Sequence, residues 1–146
     1  MPVAATIYRL AVALWTGGVA LFTLAVTPML FKTFGRDHAG QIVGAVFPTY
    51  FRWGLACGVV ALACAIIARG RMLTVTAALL LVMLSLTAFQ AFYIEPRAAA
   101  LKKDIPSFET TSKDHPLRRE FAKLHGISAA CNLAVLAGGV ALIARF

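Results

Sequence analysis

The sequence predicts an all-α integral membrane four-helix bundle, and two observations predict it. Of the 146 residues, 60% are hydrophobic and 14% are charged, where a soluble domain averages about 25% charged residues. The apolar residues also fall into four windows, each long enough to cross a hydrocarbon core that takes about 20 apolar residues per helix. These windows run over about 6–31, 47–68, 72–94 and 121–144, and the chain outside them is short. A single transmembrane domain, 1–146, follows. It leaves no room for a separate soluble catalytic domain.

The first window, from Thr6 to Phe31, is too long for the apolar part of a signal peptide and reads as the first anchor. Pro28 sits near its end, where it either kinks the helix or marks its close. The connection 32–46 contains Asp37, an N-cap candidate. His38 to Phe47 then reads as a short interfacial helix before the second span, with Pro48 bending the join. Arg69, Gly70 and Arg71 form a tight hairpin into the third window. The polar connection 95–120 is punctuated by Pro96, Pro106 and Pro116. Asp114 ahead of Pro116 signals the start of the last helix. A helix from Pro116 to Ala144 would be about 43 Å long at 1.5 Å per residue, against a hydrocarbon core of about 30 Å. Helix ends therefore protrude on one side.

The net charge is +8, but the basic residues stand at the ends of apolar runs, where they anchor a helix at lipid headgroups. No basic patch with interleaved aromatics points to nucleic acid. The lipid bilayer is the expected surrounding, in a bacterial inner membrane. Arg9, Arg69, Arg71 and Arg145 fall on one side of it, and most other Lys and Arg on the side of the long connections. By that count the long-loop side is cytoplasmic. Gly54 and Gly58, extended by Ala61 and Ala65, make a small-residue step suited to close helix packing. Ala130, Ala134 and Gly138 repeat it on the last helix. The Gly54/Gly58 step is the expected contact of a homo-oligomer, with partner membrane subunits as the alternative.

Residues that could carry chemistry gather at the long-loop end. His125, Ser128 and Asn132 are spaced by three and four residues and so share a helix face. Polar groups in line on a membrane helix are costly unless they meet partners or water. They either line a binding site in which His125 carries a proton or binds a ligand, or hydrogen-bond to neighbouring helices and hold the packing. Gln90, Tyr93, Glu95 and Arg97 on the third helix, with Tyr50 and Arg52 on the second, belong to the same mouth. There an ion pair of Glu95 with Arg52 or Arg97 would close the bundle. The other reading of the Tyr and Arg residues is interfacial anchoring.

Metal and cofactor sites are thinly supported. Cys57, Cys64 and Cys131 lie in apolar runs and read as small hydrophobes. Cys57 and Cys64 are about 10.5 Å apart along a helix axis, too far to chelate one ion with bonds of about 2.3 Å. A copper relay of Cys and Met (Met29, Met72, Met83, Cys131) competes with plain core filling. His125 is the metal-ligand candidate and the single axial residue on a span that a haem would find, since His38 and His115 fall in connections. The expected state is without cofactor, and no soluble-enzyme motif suggests a reaction.

Several of these motifs together resemble a known family. They are Trp15-Thr-Gly-Gly with Pro28-Met-Leu-Phe31, Gly40 through Phe47-Pro48-Thr-Tyr50-Phe51, Glu95-Pro96, and Leu124-His125-Gly126-Ile127-Ser128 with Asn132. In this order they resemble the small four-helix membrane family that includes human transmembrane protein 205. The resemblance covers nearly the whole chain, and the His-x-x-Ser-x-x-x-Asn pattern is its most specific part. It implies four helices and a role for His125, Ser128 and Asn132. The human member's association with platinum-drug resistance implies export or trafficking of a metal complex. The leading expectation is therefore binding or transport of a small solute or metal complex. The alternatives are an accessory subunit of a larger membrane complex and a haem-linked redox protein.

Overall fold

A computed structural model describes residues 2–68 and 73–145. The expected Arg69-Gly70-Arg71 hairpin lies outside them. The described residues are helical apart from the loop-side connections, and contain no strand. Four membrane-length helical segments run over Pro2–Thr33, Arg36–Ala68, Leu73–Asp104 and Pro116–Ile143. Two of them are composite. The first comprises α1 (Pro2–Ala20), a π-helical turn (Leu21–Val26) and α2 (Thr27–Thr33). The third comprises α4 (Leu73–Phe89), a second π-helical turn (Gln90–Ile94) and α5 (Glu95–Asp104). The second span is α3 (Arg36–Ala68) and the fourth is α6 (Pro116–Ile143).

The spans form a ring in chain order. α1 packs on α3, α3 on α4, α4 on α6, and α6 back on α1. A short helix does precede the second span: α2, set off from α1 by the π turn. The stretch from Asp37 to Phe47 is helical as well and runs without a break through Pro48 into the span. At 1.5 Å per residue, spans of 28 to 33 residues are about 42 to 50 Å long, well beyond a core of about 30 Å. The excess of α3, α5 and α6 lies at the loop side. There Lys102 hydrogen-bonds to the Gly40 carbonyl and Asp37 to the connection after α5.

Each π turn ends two residues before a proline: Val26 before Pro28, and Ile94 before Pro96. A proline ring clashes with the carbonyl four residues back in an α-helix. Those carbonyls belong to Leu24 and Phe92, and both lie inside the π turns. The widened turn relieves the clash by passing hydrogen bonds to the fifth residue back, as Thr27 N–H to Phe22 O and Glu95 N–H to Gln90 O show. Pro28 therefore does not end its helix, which continues to Thr33.

The centre of the ring is filled by Val12, Trp15, Leu80, Met83, Val135 and Leu142, all under 3% exposed. A third or less of each apolar window is buried inside the chain. The remaining faces carry large exposed apolar residues such as Leu14, Leu24, Val59, Val82, Phe92 and Leu133. This pattern is that of an integral membrane protein, whose outward side chains meet lipid.

Glycines seat bulky side chains inside this ring. A Cβ on Gly58 would stand 2.6 Å from Trp15 Cζ3, and one on Gly54 2.8 Å from Trp15 Nε1. A Cβ on Gly138 would meet Met83 Sδ at 2.9 Å, and one on Gly139 Thr16 Oγ1 at 2.2 Å. The expectation that Gly54 and Gly58 form an oligomer contact is corrected: both are buried within the chain, under Trp15. Of the second small-residue step, Gly138 packs on Met83, while Ala130 and Ala134 face outward.

Candidate functional site

The polar cluster lies at the level of the two π turns, and every span contributes to it. Tyr50 on α3 donates its hydroxyl to Asn132 Oδ1 on α6 at 3.2 Å. One turn toward the loop side, Ser128 donates to Gln90 Oε1 at 2.9 Å. Gln90 is fully buried and opens the second π turn; its amide also donates to the Leu86 carbonyl at 3.4 Å. From the first π turn, Phe22 stacks on the Tyr50 ring with centroids 4.6 Å apart. Thr23 Oγ1 lies near the Tyr50 hydroxyl, but outside hydrogen-bond geometry, since that oxygen is buried without a partner. Thr87, one turn from Gln90, donates to the Met83 carbonyl at 2.9 Å.

The sequence-predicted residues divide into two groups. Ser128, Asn132, Tyr50 and Gln90 come together inside the bundle, paired across helices. The rest stand apart. His125 is exposed, and its ring stacks on Phe121 at a centroid distance of 6.3 Å. It shares a turn spacing with Asn132, but toward the loop side the other spans leave its face uncovered. Arg52 is exposed as well. Tyr93 is exposed, stacks on Phe89 and takes the Arg97 guanidinium 5.0 Å over its ring, with an Arg97 hydrogen bond to its hydroxyl. The expected Glu95 ion pair with Arg52 or Arg97 is corrected: Arg97 turns to Tyr93, and Arg52 points away to the exposed face of α3.

The loop-side end is closed by the connection after α5. Asp37 accepts from Ser107 Oγ at 2.5 Å and from the Phe108 N–H at 2.6 Å. Phe108 packs edge-on to Phe121 at 4.8 Å, with the Arg118 guanidinium 5.5 Å over its other side. Ile105 is 5% exposed beneath the strap. The two hydrogen bonds hold the Asp37 carboxyl below its ordinary pKa. Asp37 thus ties a distant loop and does not cap its own helix. The cap of α6 is likewise His115, whose side chain accepts from Leu117 N–H at 3.3 Å, and not Asp114.

Sequence reasoning missed Trp15, Thr23 and Thr87 as parts of the cluster, and Lys102 and Asp37 as its closure. The usable signal for the π turns was the pair Pro28, near the end of the first apolar window, and Pro96, just past the third. Trp15 could have been read as the bulk that Gly54 and Gly58 admit.

The interior is tight. A cavity of about 10 Å³ is lined by Trp15, Val19, Tyr50, Phe51, Gly54, Thr87, Asn132 and Val135, with Trp53 at its edge. A volume of this order holds one water at most. Among the described residues, no three His, Cys, Asp or Glu side chains come together as a metal site. His38, in the first turn of α3, and His125, on α6, are both exposed.

Residues 10–107 match a family described as a domain of unknown function, DUF4149. An uncharacterized protein of Aquifex aeolicus (strain VF5) is 32% identical over 133 residues, which are 88% of this chain and 87% of that protein. No solved structure matches the chain.

Proposed function

The chain belongs to the DUF4149 family of membrane-spanning proteins, and from that premise we propose that it is an accessory subunit, working through its surfaces and not through a solute pathway of its own. One observation carries this reading: Tyr50 pairs with Asn132 and Ser128 with Gln90 across helices, beside a cavity of about 10 Å³. A binding pocket for a small molecule takes about 300 Å³ or more. The polar stripe on α6 then locks helices together, and the outer faces with the strapped loop end are what a partner meets. The test is native mass spectrometry of the tagged protein in lipid nanodiscs. A defined heteromeric complex of fixed stoichiometry supports the reading. A stable lone chain with saturable solute uptake overturns it.

A second reading, transport of a small solute or metal complex, is favoured by a different observation. Both π turns flank the polar cluster, and such turns recur at functional sites. The resemblance to the family of human transmembrane protein 205 supports the same reading. Proteoliposomes given a platinum(II) ammine complex test it through uptake read by elemental analysis. Saturable uptake lost in Asn132→Leu supports transport, and uptake no faster than in protein-free vesicles removes it.

A further inference from the structure

Arg52 carries a charge on the outside of a membrane span. It stands on the side of α3 turned away from Gly54 and Gly58, and it is exposed. Among the described residues no hydrogen bond or ion pair holds its guanidinium. Charged side chains within spans as a rule face the bundle interior and pair there, because hydrocarbon does not solvate them.

The depth of Arg52 follows from its neighbours in the ring. Tyr50 bonds to Asn132 and stacks on Phe22, so these three residues share one level. The stretches from Arg9 to Phe22 and from Asn132 to Arg145 are each about 20 Å long at 1.5 Å per residue. Arg9 and Arg145 mark the headgroups on their side. Arg52 follows Tyr50 by about 3 Å in that direction. It therefore lies about 17 Å from their level, and a core of about 30 Å runs about 13 Å past it on the loop side. Both headgroup layers are farther than an arginine side chain extends by snorkelling.

The face around Arg52 has the period of a helix seam. Thr49, Arg52, Ala56, Val59, Ala63 and Ile66 are all exposed, and their spacing alternates three and four residues. Two helices that cross at a shallow angle meet along such a line. Thr49, Ala56 and Ala63 are small, which lets the backbones approach.

We infer that this face of α3 docks a transmembrane helix of a different protein, one that carries an Asp or Glu carboxylate level with Arg52. This rests on the accessory-subunit reading and names the chemistry of the partner. A carboxylate takes a guanidinium through two parallel hydrogen bonds, so the pair removes an unsolvated charge from both chains. A second copy of this chain does not fit. Two copies meeting by this face would set Arg52 against Arg52, and every Asp and Glu of the chain lies toward the loop side of the π turns.

The experiment is photo-crosslinking of the full chain in its native cells, with benzoylphenylalanine in place of Ala56. The same probe in place of Leu133, on the outer face of α6, is the comparison. A cross-link from position 56 to one membrane protein is expected, in a transmembrane segment that mass spectrometry shows to hold an Asp or Glu. Arg52→Leu should lower its yield roughly tenfold, the upper scale of a side-chain bond between membrane helices. It should leave cross-links from position 133 and the helical circular dichroism unchanged. Exchanging the charges, Arg52→Asp against Arg at the partner's acid, should restore the yield. A cross-link to lipid alone, to a second copy of this chain or to a segment without a carboxylate overturns the inference, as does a yield unchanged in Arg52→Leu. Native mass spectrometry in nanodiscs separates the two readings. A heteromeric complex that forms equally in Arg52→Leu overturns the inference and leaves the accessory role standing, whereas a lone chain removes both.

Discussion

Trp15 lies across Gly58 of the second span, its Cζ3 and Cη2 atoms 2.6 and 2.7 Å from where a Cβ would stand. Leu84 Cδ2 would stand 2.5 Å from the same Cβ, and the indole itself is 1% exposed. Gly58→Ala should therefore destabilise the bundle by about 1–3 kcal/mol, the usual cost of overpacking a filled core. Gly126→Ala is the contrast, because a Cβ there meets nothing within 4 Å. It should be neutral or stabilising by up to about 1 kcal/mol, the helix preference of Ala over Gly. Unfolding in detergent followed by circular dichroism measures both. Equal effects at the two positions would mean that Gly58 does not seat Trp15.

The Gln90–Ser128 hydrogen bond joins the third and fourth spans, with Gln90 fully buried and Ser128 half-buried. A double-mutant cycle of Gln90→Ala and Ser128→Ala should give a coupling of about 0.6 kcal/mol and no more than about 1.7, the range for side-chain hydrogen bonds between membrane helices. A cycle of His125→Ala with Gln90→Ala should give none, because His125 stands outside the cluster, against Phe121. Coupling through His125 would restore it to the interior.

Four membrane spans were legible because hydropathy over 18 to 25 residues is a property of the segment alone. The start of α6 at Pro116 was legible for the same local reason. The polar cluster was legible in part. Spacing places Ser128 and Asn132 on one face, and expense in lipid says that they must pair, but spacing cannot say where a neighbouring helix stops. His125 shares that face and lies beyond the cover. Gly54 and Gly58 show the same gap: close packing is written in the sequence, while the identity of the intruder, Trp15, depends on the register between two spans. Asp37 looked like a cap because caps are local, whereas its partners Ser107 and Phe108 are 70 and 71 residues away.

The strap over the loop-side end should loosen in Asp37→Asn. The carboxylate accepts two hydrogen bonds from the strap, which lowers its pKa from an ordinary 3.8. A group with a lowered folded pKa gives its full contribution above the unfolded value and loses it as pH falls through the folded value. Wild-type strap closure should thus be flat from neutral pH down to about 4 and weaken only below it. Trypsin cleavage at Lys113, an exposed residue within the strap, should be faster in Asp37→Asn at neutral pH. For the pH dependence, amide exchange of Phe108 is the measurement. Equal cleavage in the two proteins, or wild-type opening already at pH 6, would remove Asp37 as the tie.

Pro96 should hold the second π turn open. Replacing it with Ala removes the ring from the Phe92 carbonyl and restores an N–H, so the turn can close to the ordinary four-residue bond. That closure drops one residue from the turn and rotates the helix on one side of it by about 100°. The bundle side is fixed by Gln90 and the core around Met83, both buried. The outer segment α5 has no buried residue of its own, so α5 is what turns. Lys102 would then leave the Gly40 carbonyl to which it bonds. Amine labelling of Pro96→Ala, read lysine by lysine by mass spectrometry, should show Lys102 more reactive than in the wild type. Lys32 and Lys123 should be unchanged, and the Gln90–Ser128 coupling should persist. Unaltered Lys102 labelling would mean that the polar cluster, and not the proline, keeps the turn wide.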